Sequence, residues 1–347
     1  MSRPRILPLV LAGAIALCLF GLRAARPQSA DLRRVTDTSE EGLNLNPSIS
    51  GDGRIIAFES TEDVADAGGI DRFRAIRANL TADPATFFQI GANRAAAPAI
   101  SQDGSRIAFA SKDDPLGSNP DGNSEIFLFD GAKLSQITNT SPGDVANRVV
   151  NGNFQPSMSD DGRYIAFSSN RDLAAQNADG NLEIFIYDAV AGGFTQLTDS
   201  SGIVGFSDAK ISGNGGSVAY IRDAGTTPSA ERDLLEQPRA GLGPGTLLAS
   251  NVRSLAMTYG RAISDDGARV VYSAETATNS TQVFLFDGRK GSASRQITSL
   301  GTRATEVPLH PTISGDGSQI AFAARRSVNG TPGNSNRQRY ATGGGEN

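Results

Sequence analysis

The sequence predicts an all-β fold built from one repeated four-stranded unit, and three observations carry that prediction. The first is a repeat. The pattern Ser-x-Asp-Gly begins at Ser50, Ser101, Ser159, Ser212, Ser264 and Ser314, with Asn214 replacing Asp in the fourth copy. The steps from serine to serine are 51, 58, 53, 52 and 50 residues. A period of this length marks one supersecondary unit repeated until a common core is buried. The second observation is a fixed order of short apolar runs within each unit. The third is that no stretch of the repeats carries a helical period.

The third repeat displays the order most clearly. Gln155-Pro156-Ser157-Met158-Ser159 is a short first strand, and Asp160-Asp161-Gly162 is a turn signal with Gly available for positive φ. Tyr164–Ser168 forms an apolar second strand, and a long polar stretch, Asn170–Leu182, leads to Glu183–Asp188 as a third. Gly192-Gly193 turns the chain into Phe194–Thr198 as a fourth. The second repeat matches with Arg106–Phe109, Glu125–Asp130 and Gln136–Thr138, and the fifth with Arg269–Tyr272, Gln282–Asp287 and Gln296–Thr298. In the first and fourth repeats the second halves depart from the pattern, but 71–90 and 231–249 keep the right lengths.

Four antiparallel strands per unit, six times over, predict a six-bladed β-propeller over residues 31–326. A parallel β-helix is the alternative, with coils much shorter than this period. Leu32–Thr36 matches the fourth-strand pattern and precedes the first full repeat. The expectation is therefore that an N-terminal strand completes the last blade and closes the ring. Residues 327–347 form a Gly-, Asn- and Arg-rich tail, in which Arg337–Thr342 is the one candidate for that blade's third strand.

The recurring Pro-Ser-Ile-Ser-x-Asp-Gly-x-x-Ile-Ala-Phe core, as at 47–58, and the later Glu-Ile-Phe-Leu-Phe-Asp strand at 125–130 resemble the WD40-like propeller repeat of the TolB family. The resemblance runs from about Leu32 to Ala324. It implies the propeller fold. It leaves function open, because such propellers serve as periplasmic scaffolds, as cell-surface binders and as gating domains of serine peptidases. The helical N-terminal domain of TolB has no counterpart here, so the resemblance does not imply a role in the Tol–Pal envelope system. No Gly-x-Ser-x-Gly is present, and with it the nucleophile of the peptidase relatives is missing.

Residues 1–30 stand outside the repeat. Arg3 and Arg5 precede an apolar run from Ile6 to Leu22, the form of an export signal. A cleaved signal peptide and an uncleaved anchor are the two readings, the run being at the lower length limit for a span. Either places the body outside the cytoplasm: periplasmic, cell-surface or secreted. Cys18 is the single cysteine and follows Leu17 rather than the small residue a lipidation site requires. The body beyond it has no disulfide, thiolate metal site or cysteine nucleophile. Net charge is −5, and residues 1–30 contribute four arginines and no acid, which leaves −9 on the rest. Such a body has no electrostatic footprint for nucleic acid or anionic lipid, and contact with a membrane would come only through an uncleaved N-terminal segment.

Few residues suggest chemistry. The Ser-x-Asp-Gly copies resemble aspartate boxes, but Asp and Gly are adjacent and no Trp follows, so they read as hairpin turns. The stretches Asn119–Glu125 and Asn177–Glu183 place oxygen side chains alternately, at Asn119, Asp121, Asn123 and Glu125 and at Asn177, Asp179, Asn181 and Glu183. Calcium loops need that alternation, but the Gly falls at position 4 and there is no bidentate Glu at 12. Calcium, the sole cofactor suggested, therefore competes with a solvated Asx-type turn. His310, the only histidine, precedes Pro311 at the entry to the last repeat, in a slot that Asn46, Ala97 and Gln155 fill elsewhere. It is a candidate ligand-binding residue; one His cannot build a multi-histidine metal site.

The 2–3 loops, 112–124 and 171–182, are long and polar, whereas the Ser-x-Asp-Gly turns are tight. The long-loop face is the expected binding surface. The expected function is an exported non-enzymatic module that binds a protein or cell-envelope glycan. The alternative is a polysaccharide lyase or glycosidase with paired carboxylates in the central channel.

Overall fold

A computed structural model describes residues 33–68, 72–93, 95–142, 152–223, 231–241, 243–276, 280–291, 293–300 and 309–324, and the backbone of 338–343. The N-terminal segment 1–30, Cys18 and Leu32, most of the 139–155 connection and residues 325–337 and 344–347 of the tail region lie outside them. Among the described residues no helix is long and apolar enough to cross a membrane.

Among the described residues every named strand pairs antiparallel. The first sheet orders β1 (Asn44–Ile49), β2 (Ile55–Ser60), β3 (Arg74–Asn79) and β4 (Thr86–Asn93) side by side. The second repeats this with β5 (Ala95–Ile100), β6 (Ile107–Ser111), β7 (Glu125–Phe129) and β8 (Leu134–Gln136). The third does so with β9 (Asn153–Met158), β10 (Tyr164–Ser169), β11 (Glu183–Asp188) and β12 (Gly193–Gln196). The degenerate first repeat still makes its third strand because Ala75, Ile76 and Ala78 supply apolar side chains that are fully buried.

Two repeats then run together. β13 (Gly205–Ile211), β14 (Ser217–Asp223), β15 (Arg232–Pro238), β16 (Thr246–Ala256), β17 (Arg269–Glu275), β18 (Thr281–Asp287) and β19 (Arg295–Gln296) form one seven-stranded sheet. β16 pairs with β15 through its first half and with β17 through Arg253 and Ala256. No Gly or Pro breaks the chain between Thr246 and Ala256, so one strand serves as the outer edge of the fourth repeat and the beginning of the fifth. Left-handed φ values at Asn251 and Ser254 bend it where it passes from one to the other. Ala262-Ile263 makes only a short bridge to β17.

The last sheet has three strands among the described residues: β20 (Thr312–Ile313), β21 (Gln319–Ala324) and β22 (Gln338–Gly343). β22 pairs with β21 from Gln338 to Gly343. Residues 33–39 are not strand; Val35 instead packs on Phe58, Ile76 and Ala78 of the first sheet.

The core lies between successive sheets. Phe109 and Phe127 stack at 5.8 Å, and Phe167 and Phe185 at 6.3 Å, each pair spanning the second and third strands of one sheet. The apolar residue before each turn serine is buried at Ile100, Met158, Ile211, Ile263 and Ile313. Ile49, its equivalent in the first sheet, is 58% exposed.

Candidate functional site

The turn end is built by the repeated residues themselves. In the second copy the Ser101 hydroxyl donates to Asp103 at 2.7 Å and accepts the Arg106 amide at 3.0 Å, while Asp103 accepts the Ser105 amide at 2.9 Å. Gly104 closes the turn at φ 71°. Each residue type thus has a backbone reason. The Ser101 hydroxyl and the Ser105 amide hold Asp103 below the usual carboxylate range. Asp316, held in the same way by Ser314 and the Ser318 amide, falls to about 2.

The turns are also tied to one another. The Gly51 amide donates to the Gln102 carbonyl, Gln102 to Asp160 and Asp160 to Gly213; Asn214 then donates to Asp265, and Asp265 to Gly315. These bonds of 2.7–2.9 Å join every successive pair of the six turns. Arginines add a second tie, with Arg77 donating to the Gly104 carbonyl, Arg106 to Gly162 and Arg269 to Gly317.

At this end the structure assembles a charged cluster that no local motif marks. Arg261 pairs with both Asp160 and Asp265. Burial pushes the Asp265 carboxyl up; Arg261 opposes this, and the neighbouring Asp160 reinforces it. The sequence signal is a departure: Arg261 stands where the other copies have Pro47, Pro98, Pro156, Ala209 and Pro311.

At the loop end the sequence candidates are placed as follows. The Asn119 amide donates to the carbonyls of Asp113 and Asn123, both at 3.1 Å, and Asn177 reaches those of Arg171 and Asn181 in the same way. Asn123 donates to the Thr140 carbonyl at 2.7 Å and Asn181 to the Ser200 hydroxyl at 2.8 Å, tying each loop to the following connection. Glu125 is fully buried and accepts from Thr138, from the Thr140 amide and hydroxyl, and from Asn153. Glu183 does the same with Thr198 and Ser200. Asp121 and Asp179 are exposed at the loop tips. The eight oxygen-bearing residues are therefore divided among bracing roles and solvent. Among the described residues no group of three His, Cys, Asp or Glu is arranged to hold a metal.

His310 has φ 40° and stacks on Tyr259 at 6.3 Å. Asn46, Ala97, Gln155 and Asp208, four residues before their own turn serines, share its left-handed φ of 50–55°. In the first, second, third and fourth repeats this position falls at a register shift in the innermost strand pair, which is a β-bulge. Three of these bulge positions take part in ties between repeats. Glu59 accepts from Asn46 and from the Ala97 amide, and Asp208 accepts the Met257 amide while pairing with the buried Lys210 at 2.8 Å.

A cavity of about 320 Å³ between the third and fourth repeats was not legible in the sequence. Leu197, Phe206, Leu235 and Leu247 line it, with Gly243-Pro244-Gly245 on one side. The Tyr220 hydroxyl at its wall bonds Gln237 at 2.5 Å, and burial raises its pKa to about 12.

These sheets define the class: an all-β protein of four-stranded antiparallel units resembling propeller blades. No family model matches the chain, and no curated protein does. Its structural likenesses are β-propellers at low identity. TolB from Acinetobacter baumannii aligns at TM-score 0.52 and 18% identity over 80% of this chain and 59% of that one. The β-propeller domain of the Trilobed protease from Pyrococcus furiosus aligns at 0.51 and 14%, over 82% and 80%. Acylaminoacyl peptidase from Pyrococcus horikoshii aligns at 0.51 and 15%, over 82% and 43%. The chain thus spans about six tenths of the TolB structure's length, and the likeness is one of fold.

Proposed function

We propose that the protein is an exported six-bladed propeller, its ring closed between the two chain ends, that acts as a non-enzymatic binding or scaffold module. Its ligand is a protein or cell-envelope glycan, taken at the loop end. The observation that carries this reading is the contrast between the ends. The turn end uses its polar groups on itself. The loops at the other end are braced from within, by Asn119 and Asn177 and by Glu125 and Glu183, and present Leu116, Asp121, Asp172 and Asp179 outward. Rigid support under exposed, varied side chains is what a recognition surface requires. The carboxylate pair at the turn end does not favour catalysis, since Arg261 already engages both Asp160 and Asp265.

The test is crosslinking on intact cells beside a glycan array, with wild type, an Asp121→Lys/Asp179→Lys variant and a turn-end Asp103→Asn variant. One protein or glycan captured by wild type and the turn variant, and lost by the loop variant, supports the reading. Turnover of an oligosaccharide, or capture indifferent to the loops, overturns it. Closure is tested separately. A closed ring covers Ile49, and Cys18 is the only native cysteine. A thiol reagent should therefore label Ile49→Cys slowly; labelling as fast as at an exposed loop position means an open seam.

A further inference from the structure

Arg261 joins parts of the chain that are far apart: Asp160 lies on the turn between β9 and β10, Asp265 on the turn before β17. The space they occupy is kept free by glycine. A Cβ at Gly213 would collide with both carboxylates, and one at Gly315 with Asp265. The two carboxyl groups therefore stand within one side chain's width of each other, around a single guanidinium. A carboxylate has no donor, so two carboxyl groups this close hydrogen-bond each other only when they hold one proton between them. The chain of turn hydrogen bonds changes step at the same place: Asp160 donates to the Gly213 carbonyl, but Asn214 rather than Gly213 donates onward to Asp265.

We propose that Asp160, Asp265 and Arg261 form a proton-operated latch across the turn end, holding the third and fifth repeats together while one carboxyl is protonated and loosening when both are ionised. With one proton the cluster is neutral, one guanidinium against one carboxylate. Without it, two carboxylates face each other across a single guanidinium. The charged groups facing Asp265 are Arg261, Asp160 and the adjacent Asp266, which is itself engaged by Arg289 and Ser264. Gln102, Gly51, Gly213 and Gly315, at the other equivalent turn positions, bring no charge. The latch does not depend on what binds at the loop end.

The direction of the pH effect follows. Burial, opposed by Arg261 and reinforced by Asp160, raises the Asp265 carboxyl above its ordinary 3.8. A group raised on folding contributes fully below its unfolded pKa, and the contribution is lost as pH rises through the folded value. The turn carboxylates Asp103 and Asp316 are lowered instead, so they remain ionised and constant across that window.

The experiment follows Tm and amide exchange, corrected for intrinsic rates, from about pH 4.5 to about pH 8, in wild type, Asp265→Asn, Asp160→Asn and His310→Gln. His310 is the control, because it is the sole histidine, the residue type whose unperturbed charge change falls in this range. Wild type should lose about 2 °C or more as pH rises, with faster exchange at the Asn214 and Asp265 amides. Either Asn variant, which carries a permanent neutral donor, should flatten the profile and melt above wild type at the alkaline end. His310→Gln should keep the wild-type slope. A flat wild-type profile, an unaltered slope in whichever Asn variants fold, or flattening by His310→Gln overturns the latch.

Discussion

At the turn end Gly104 has φ 71°, and its α-carbon faces Ile55 of the neighbouring sheet so closely that a Cβ would lie 2.6 Å from the Ile55 Cγ1. At the loop end Gly122 has φ 66°, yet the nearest atom to its Cβ position is the Lys112 carbonyl at 3.7 Å. The two glycines adopt the same backbone conformation for the same local reason, a tight turn. Only the first is also pressed between sheets. The turns are at once the hairpins of single sheets and the joints between sheets, while the loops are braced mainly by their own repeat and its connection and reach the next sheet at their base, where Asn153 donates to Glu125. Polar atoms at one end join sheet to sheet; at the other they brace the loops from within, while Asp121 and Asp179 face solvent.

Five perturbations would break or sharpen this contrast. Glu125→Ala should cost most, roughly 3 kcal/mol, because it leaves buried hydroxyl and amide donors at Thr138, Thr140 and Asn153 without their acceptor. Urea unfolding checks it, and a loss below that of a surface change would mean the loop end is not anchored through this residue. Gly104→Ala should cost about 2–3 kcal/mol, from left-handed strain and the collision with Ile55. Gly122→Ala should cost about 1 kcal/mol, from strain alone, so equal losses would erase the distinction between the ends. Asp316→Asn should leave neutral-pH stability nearly unchanged and make the acid limb shallower. Its carboxyl is lowered to about 2 by Ser314 and the Ser318 amide, so that its contribution is present above 3.8 and fades as pH falls towards 2. An acid titration followed by circular dichroism reads this. EDTA should leave Tm unchanged; a drop would return Asn119–Glu125 and Asn177–Glu183 to the status of calcium loops.

The repeat made the sheets legible because its residues answer to local backbone demands. Ser and Gly close the same turn six times and Asp five, with Asn214 in the fourth copy, and the third strands are apolar because both faces are covered. What the sequence leaves hidden depends on partners distant in the chain. Alternating oxygens at Asn119–Glu125 satisfy a calcium pattern, but the pattern is blind to Thr138 and Asn153, whose donors claim Glu125. Arg261 differs visibly from its proline and alanine equivalents, yet its partner Asp160 lies 101 residues away. The left-handed φ at His310 had a local cause in the bulge of the first strand, which four non-glycine residues share, and so the position is a backbone requirement before it is a site. Fusion of the fourth and fifth repeats was likewise unreadable, because it comes from the lack of a break between Thr246 and Ala256.

That shared strand has a mechanical consequence. A force applied between most neighbouring sheets works against side-chain packing and a few turn bonds, and these joints can separate in succession. Between β15 and β17 it must shear a single covalently continuous strand bonded on both sides. The seven strands from Gly205 to Gln296 should therefore extend as one event of about 92 residues' contour length, and that step should be the largest in a pulling trace of the whole chain.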